Sequence, residues 1–289
     1  MKELEQPPSL EILERGRQVA RNIETEIRKI IHGPEIQKFI EVLIMAVFAD
    51  GHVIVQAPVG LGKTLACSAL AKTVGGDFNV LQFKPDLLPS DLTGNVIYNQ
   101  KTGDFETAYG PLLTNIFLAD EINRGTPKVQ SALLEAMESR QLTIPRAGVI
   151  RLPQPFLVLA TRNPIEHEGT YDLPEALLDR FLAQPHVGMP SEETGLKILS
   201  QDPWLGPEEQ IQALTQVTTP EEILTIRQAI RTGVHVDERL RLYIWRLCSA
   251  TWVHPQIAYG ASPRGAKSLL KAAMVTAFRA GIREQVLQS

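Results

Sequence analysis

The 289-residue chain carries 29 basic and 33 acidic side chains, a net charge of −4 and 44% apolar residues, the balance of an ordinary globular protein. That charge, with an isoelectric point near 5.9, argues against a surface that coats nucleic acid. The longest apolar run, Val42–Ala49, is too short to span a bilayer, and no signal-peptide apolar region opens the chain. Cys67 and Cys248 stand apart without CxxC spacing, so neither a zinc site nor a disulfide framework is expected. The expected setting is soluble, reducing and cytoplasmic.

Residues 1–8 are polar and end in Pro7-Pro8, and are expected to form a flexible N-terminus. A helix is predicted from Leu10, with Ser9 as its cap and apolar residues at Leu13, Val19, Ile23 and Ile27. A second runs from Pro34 to Ala49, with the proline acceptable in the first turn. Val53–Gln56 then reads as a strand. It leads through Ala57-Pro58-Val59-Gly60-Leu61-Gly62-Lys63-Thr64 into a helical pattern from Leu65 to Val74. Strand, glycine-bearing loop and helix are the context that a phosphate-binding P-loop requires. Gly60 and Gly62 allow backbone N–H groups to turn toward an anion, and the helix N-terminus adds partial positive charge. Lys63 would reach the β- and γ-phosphates and the Thr64 hydroxyl a Mg²⁺ ion. Ala57 stands where the strict pattern has glycine.

A short strand is predicted over Asn79–Phe83, and a hairpin joins Gly94–Tyr98 to Asp104–Ala108 through Lys101-Thr102-Gly103. Ile116–Ala119 is an apolar strand followed by Asp120 and Glu121. Ligands of open parallel sheets bind outside the C-terminal strand ends, so Asp120 is a candidate Mg²⁺ ligand and Glu121 a candidate water-polarising base. Thr126-Pro127 starts a helix, and Gln141–Pro153 is a second alternating segment. Phe156–Ala160 is a buried-type strand that leads to Asn163, which is either a water-orienting amide or a turn residue before Pro164. A helix from Leu173-Pro174 to Phe181 and a last strand near Gln184–Val187 follow. Arg180 in this stretch is either an arginine finger or a charge over an apolar edge. His167, between Glu166 and Glu168, reads as a solvated loop residue.

Beyond Gly188-Met189-Pro190 only helices are predicted, at 191–200, 207–216, 220–231, 237–250 and 262–281. Alternating elements followed by helices alone predict an α/β core at 9–188 and a helical domain at 189–289. Arg264 follows Ser262-Pro263 at a helix start, where a cation is locally unfavourable, and this hints at an external anion.

Taken together, Ala119-Asp120-Glu121-Ile122-Asn123-Arg124, Gln130–Glu138, Ala160–Pro164, Glu168–Tyr171, Leu173–Ala176 with Leu178–Phe181, and Gly260–Arg264 resemble the MoxR family of AAA+ ATPases over about residues 10–280. The resemblance implies a P-loop NTPase core with a parallel five-stranded sheet, a smaller all-α lid, and an ATP- and Mg²⁺-dependent ATPase. Asn163 then matches sensor 1, Arg180 the arginine finger and Arg264 sensor 2. The segment 84–114 matches the helix-2 insertion and 141–153 the hairpin before sensor 1. The resemblance also implies a hexameric ring, a von Willebrand factor A domain partner and remodelling of a protein client. Pro34 departs from the family's usual glutamine, and relatives commonly continue past the position of Ser289. Two rival readings are a nucleic-acid motor and a slow, nucleotide-gated assembly module. The first needs basic or aromatic hairpins; Lys101, Tyr98 and Arg146 are present, but Asp104 and Glu106 dilute them.

Overall fold

The computed structural model describes residues 10–58, 60–101, 103–162 and 170–281. The expected tail 1–8, Val59, Thr102, Asn163 and His167 lie outside these. Two helices, α1 (Leu10–Ile27) and α2 (Pro34–Ala49), precede β1 (His52–Gln56) and the loop helix α3 (Lys63–Val74). There follow β2 (Phe78–Gln82), α4 (Pro89–Thr93), and the hairpin β3 (Gly94–Asn99) and β4 (Asp104–Tyr109). Then come β5 (Ile116–Asp120), α5 (Pro127–Ser139), a second hairpin of β6 (Gln141–Ile144) and β7 (Gly148–Arg151), β8 (Leu157–Arg162), α6 (Glu175–Leu178) and β9 (Phe181–Ala183). Five helices close the described chain: α7 (Glu192–Leu199), α8 (Pro207–Gln212), α9 (Pro220–Gly233), α10 (Glu238–Ala250) and α11 (Pro263–Ala280).

Five strands form one sheet in the order β2-β5-β8-β1-β9, and each pairing is parallel. The two hairpins stand outside it as separate antiparallel pairs. The three central strands are buried almost throughout, as a sheet covered on both faces demands. The expected last strand is displaced: Phe181 belongs to β9 rather than to a helix, and the segment after it contributes a lone bridge, Gln56–His186. Helix α6 ends at Leu178 because Phe181 is drawn onto the sheet edge beside His52, where tertiary pairing overrides the helical pattern. The short helix α4 forms within an Asp-, Pro- and Gly-rich stretch whose composition gives no helical pattern; it starts at Pro89, whose fixed φ suits a first turn.

The helices beyond the sheet share the core of those before it. Ile223, Ile226 and Ile230 of α9 and Val275 and Phe278 of α11 are buried in one cluster with Val19, Ile23, Phe39 and Leu43. A Cβ on Gly16 would sit 2.8 Å from Ile226 and 2.9 Å from Phe278, so α1 can approach both helices only through glycine. Phe48 of α2 meets Phe278 at 5.9 Å between ring centroids. One carboxylate ties the same region together. Asp50, in the left-handed turn that ends α2, accepts from Arg227 of α9 at 2.8 Å and from Arg140, at the foot of the second hairpin, at 3.1 Å. Arg227 also donates to the Val47 carbonyl at 2.6 Å. Among the described residues no helix is long and apolar enough to cross a membrane.

His52, fully enclosed at the start of β1, accepts the Val158 amide on Nδ1 at 2.9 Å and stacks edge-on against Phe156. Burial, and after it the charge of Arg140, push its imidazole down to about 3. Below pH ~6.5 the unfolded chain binds a proton here that the folded chain refuses. The stabilisation is therefore complete above that pH and is lost as the pH falls toward about 3. Urea unfolding of His52→Gln should show a shallower loss of stability between pH 6.5 and 4 than the parent, by up to about 1.4 kcal/mol per pH unit. Parallel slopes would assign the acid sensitivity to other groups.

Candidate functional site

The loop between β1 and α3 is built for close backbone approach. Gly60 and Gly62 hold φ of 83° and 71°, left-handed values that side-chain-bearing residues rarely adopt, and the space around each is open. Lys63 folds back over the loop, its Nζ donating to the carbonyls of Ala57 and Pro58, each at 3.0 Å. Burial lowers the basicity of this ammonium, and the charges of Asp120 and Glu121 oppose that effect. Both acids are therefore within electrostatic reach of the Lys63 ammonium. Thr64 follows at the exposed start of α3.

Sheet register places the acids. Ala119 pairs with Ala160, so the next residues of β5 and β8, Asp120 and Thr161, stand side by side at the C-terminal strand ends. The Thr161 hydroxyl donates to Asp120 Oδ1 at 2.5 Å and accepts the Glu121 amide at 2.8 Å. Glu121 adopts φ 55°, ψ 48°, a left-handed conformation uncommon outside glycine, asparagine and aspartate. Strain of this kind gathers at functional sites. The Glu121 carboxylate pairs with Arg124 at 3.1 Å and accepts from Gln82, at the end of β2, at 3.4 Å. In the sequence, Thr161 stands out only as part of the Ala160–Pro164 motif. Its signal was a polar residue closing a strand that is otherwise apolar.

The two arginines singled out in the sequence are each held by a carboxylate. Arg180 pairs with Glu138 on α5. Arg264, in the first turn of α11, donates from Nη1 to Asp179 Oδ2 at 2.7 Å. Within the chain, this cation at a helix start is paired with Asp179. Burial lowers the basicity of Arg180, and the charge of Arg264 lowers it further, so the two guanidiniums share one electrostatic neighbourhood.

On the other side of the loop a cavity of about 180 Å³ is lined by Ile31, His32, Ile36, Leu61, Val187 and Ile198. At its rim His32 Nε2 lies 2.8 Å from Gln201, and Glu35 accepts the Ser191 amide at 2.7 Å and the Thr194 hydroxyl at 3.0 Å. Its own backbone amide first, then Ser191, hold the Glu35 carboxyl down to about 2. These contacts were not legible in the sequence, because they join residues more than 150 positions apart. Helix α8 brings Pro207, Glu208 and Ile211 to a wider cleft shared with Gly62, Lys63 and Thr64.

A family model described as the ATPase family associated with various cellular activities (AAA) matches residues 52–183. The chain is 31% identical over 286 residues to the protein MoxR of Methylorubrum extorquens, covering 92% of this chain and 82% of that one. The chain belongs to the MoxR family of AAA+ ATPases. It is also 46% identical over 234 residues to the uncharacterized protein YeaC of Bacillus subtilis, covering 81% of this chain and 72% of that one. It is 39% identical over 257 residues to the chaperone MoxR1 of Mycobacterium tuberculosis, covering 86% of this chain and 66% of that one. Among solved structures it resembles the crystal structure of a candidate ATPase from Cytophaga hutchinsonii, with a TM-score of 0.83, 38% identity, and coverage of 94% of this chain and 83% of that one. Nucleotide binding follows from this membership, and the glycine-hinged loop with Lys63 is its candidate cradle.

The oxygen donors nearby fit a magnesium ion bound together with phosphates. Among the described residues no group of three or more His, Cys, Asp or Glu side chains forms a metal cage. Mg²⁺ in nucleotide sites needs only one or two protein oxygens, and a hydroxyl and a carboxylate, those of Thr64 and Asp120, are of the right hard-oxygen type.

Thr161→Val removes both hydrogen bonds without changing the side-chain shape. It should lower stability by about 1–3 kcal/mol, since the Asp120 oxygen and Glu121 amide lose their shared partner, while Thr161→Ser keeps the parent value. Thermal or urea unfolding of the three proteins checks this; equal stability for the valine variant would show that the bridge contributes nothing.

Proposed function

We propose that this MoxR-family protein hydrolyses ATP at sites shared between neighbouring copies of a ring, with six subunits as the family implies, and uses the cycle for chaperone-like remodelling of a protein client. The reading is carried by one observation: a P-loop with left-handed Gly60 and Gly62 beside two acids fixed through a single threonine. In this reading the loop 57–64 binds the phosphates, with backbone amides and Lys63 as donors. Thr64 and Asp120 hold Mg²⁺, which when bound neutralises charge on the phosphate oxygens. Glu121 polarises the attacking water, and Asn163 orients it. Arg180 of one copy, with Arg264, faces the nucleotide of the next. Within the helical part of 189–289, α7 and α8 act as the lid over the core of 9–188, and α8 meets the loop directly.

A protein client is supported by the hairpins, whose exposed apolar and aromatic side chains are interleaved with Asp104 and Glu106, acids that would repel a nucleic-acid backbone. Ile97, Tyr98, Phe105 and Tyr109 on the first and Val149 on the second are exposed, and the Tyr98 and Phe105 rings pack together with centroids 5.4 Å apart. Exposed apolar surface of this kind marks contact with other macromolecules. The relative named as a chaperone supports the same reading. A von Willebrand factor A domain partner and a cytoplasmic setting belong to this proposal, the latter resting on two free, buried cysteines, Cys67 and Cys248.

Glu121→Gln should bind ATP as the parent does and turn over at least about 10²-fold more slowly, the scale of lost general-base catalysis. Parent-like turnover with intact binding would remove Glu121 from this role. Turnover per subunit measured against protein concentration, with mass from light scattering, should rise as a ring assembles; a flat rate from a monomer would end the shared-site account.

A further inference from the structure

Asp179 precedes Arg180 in the chain, pairs with Arg264, and takes no part in the roles assigned above. It closes α6. Both of its oxygens are committed to one distant turn. Oδ1 accepts from the Ser262 hydroxyl, and Oδ2 accepts from Arg264 Nη1 at 2.7 Å. Ser262 is itself the cap of α11, accepting the amides of Arg264 at 3.0 Å and Gly265 at 3.1 Å. A single carboxylate therefore grips cap and cation of a helix more than 80 residues away in sequence. An ordinary surface ion pair would spare only one charge; this one also fixes the helix start. Arg180 is anchored separately, to Glu138 of α5, and its Nε is buried with no hydrogen-bond partner among the described residues. The charge of Arg264 acts against that of Arg180, and the Asp179 carboxylate, bonded to Arg264 and next to Arg180 in the chain, offsets that repulsion.

We propose that Asp179 is a positioning residue that binds the first turn of α11 to α6, setting Arg264 beside Arg180 as one rigid, doubly cationic face for the phosphates of a nucleotide held by a neighbouring copy. This rests on the reading that both arginines act on that nucleotide. A planar guanidinium fixed in orientation recognises phosphate oxygens by paired donors, whereas a swinging one contributes only charge. Asp179 thereby acts through Arg264 rather than on the substrate itself.

The test is steady-state ATPase of the full chain at concentrations where the parent is assembled, for Asp179→Asn, Asp179→Glu, Arg264→Ala, Arg180→Ala and the Asp179→Asn, Arg264→Ala double variant. Asp179→Asn should lower kcat by about tenfold or more with KM for ATP and light-scattering mass unchanged, the pattern of an interaction made in the transition state. Asp179→Glu should recover part of the loss, and in the Arg264→Ala background Asp179→Asn should have no further effect. Mixing Asp179→Asn with Lys63→Ala chains should restore turnover above either alone, because one interface then joins an intact loop to an intact arginine face. An unchanged or raised kcat in Asp179→Asn would overturn the proposal, as would an undiminished loss in the Arg264→Ala background. Parent-like turnover of both single arginine variants would instead sink the underlying reading of the site.

Discussion

A threonine hydroxyl has one proton to donate and lone pairs to accept with, and Thr161 uses both at the end of the sheet. The donated proton fixes Asp120; the accepted amide holds the backbone of Glu121 in a left-handed turn. This works because β5 and β8 are parallel neighbours in a register that sets Ala119 beside Ala160. A slip of one residue would turn every side chain of the strand to the opposite face and separate the hydroxyl from the acids. The site therefore depends on sheet register before it depends on any single charge, and the buried, β-branched and leucine-rich strands secure that register.

Much of this was legible in the residues. The apolar runs of β1, β5 and β8 and the glycine-bearing loop follow from local chemistry, and so does the pair of acids after β5. The first hairpin was visible as alternation broken by turn residues, whereas the second showed only alternation and was a hairpin by the family resemblance. The illegible parts are those in which tertiary pairing outweighs local pattern. Phe181 joins an edge strand because His52 offers it a partner, although its neighbours read as helix. The partners of Arg180 and Arg264 are carboxylates, Glu138 and Asp179, that carry no local signal of their own. Glu35 looks like a first-turn helix acid, yet it reaches Ser191 and Thr194 across the chain and helps form the rim of the cavity beside the loop.

The charges of the site come as matched sets within one chain: Glu121 with Arg124, Glu138 with Arg180, Asp179 with Arg264. Each lies at the boundary of solvent, where an ion pair is worth at most about 1 kcal/mol. Such pairs add little stability of their own, and their value lies in orienting the side chains they join. Deeper groups behave otherwise. Burial drives the Cys67 thiol upward and keeps it inert, a packed side chain of α3 rather than a nucleophile.

The shared core behind Gly16 limits which parts of the molecule can move. Swinging α9 and α11 away from α1 and α2 would expose Ile223, Ile226, Ile230, Val275 and Phe278 and strip Asp50 of Arg227. At about 1.5–3 kcal/mol for each large side chain, that displacement approaches the whole stability of a typical domain. These two helices must therefore travel with the sheet as its ballast. Motion during a nucleotide cycle is left to the pieces with few buried side chains: α7, with only Thr194 buried, and α8, with none. Both border the loop proposed to hold the phosphates, so two loosely packed helices lie where they would feel whether that loop is full.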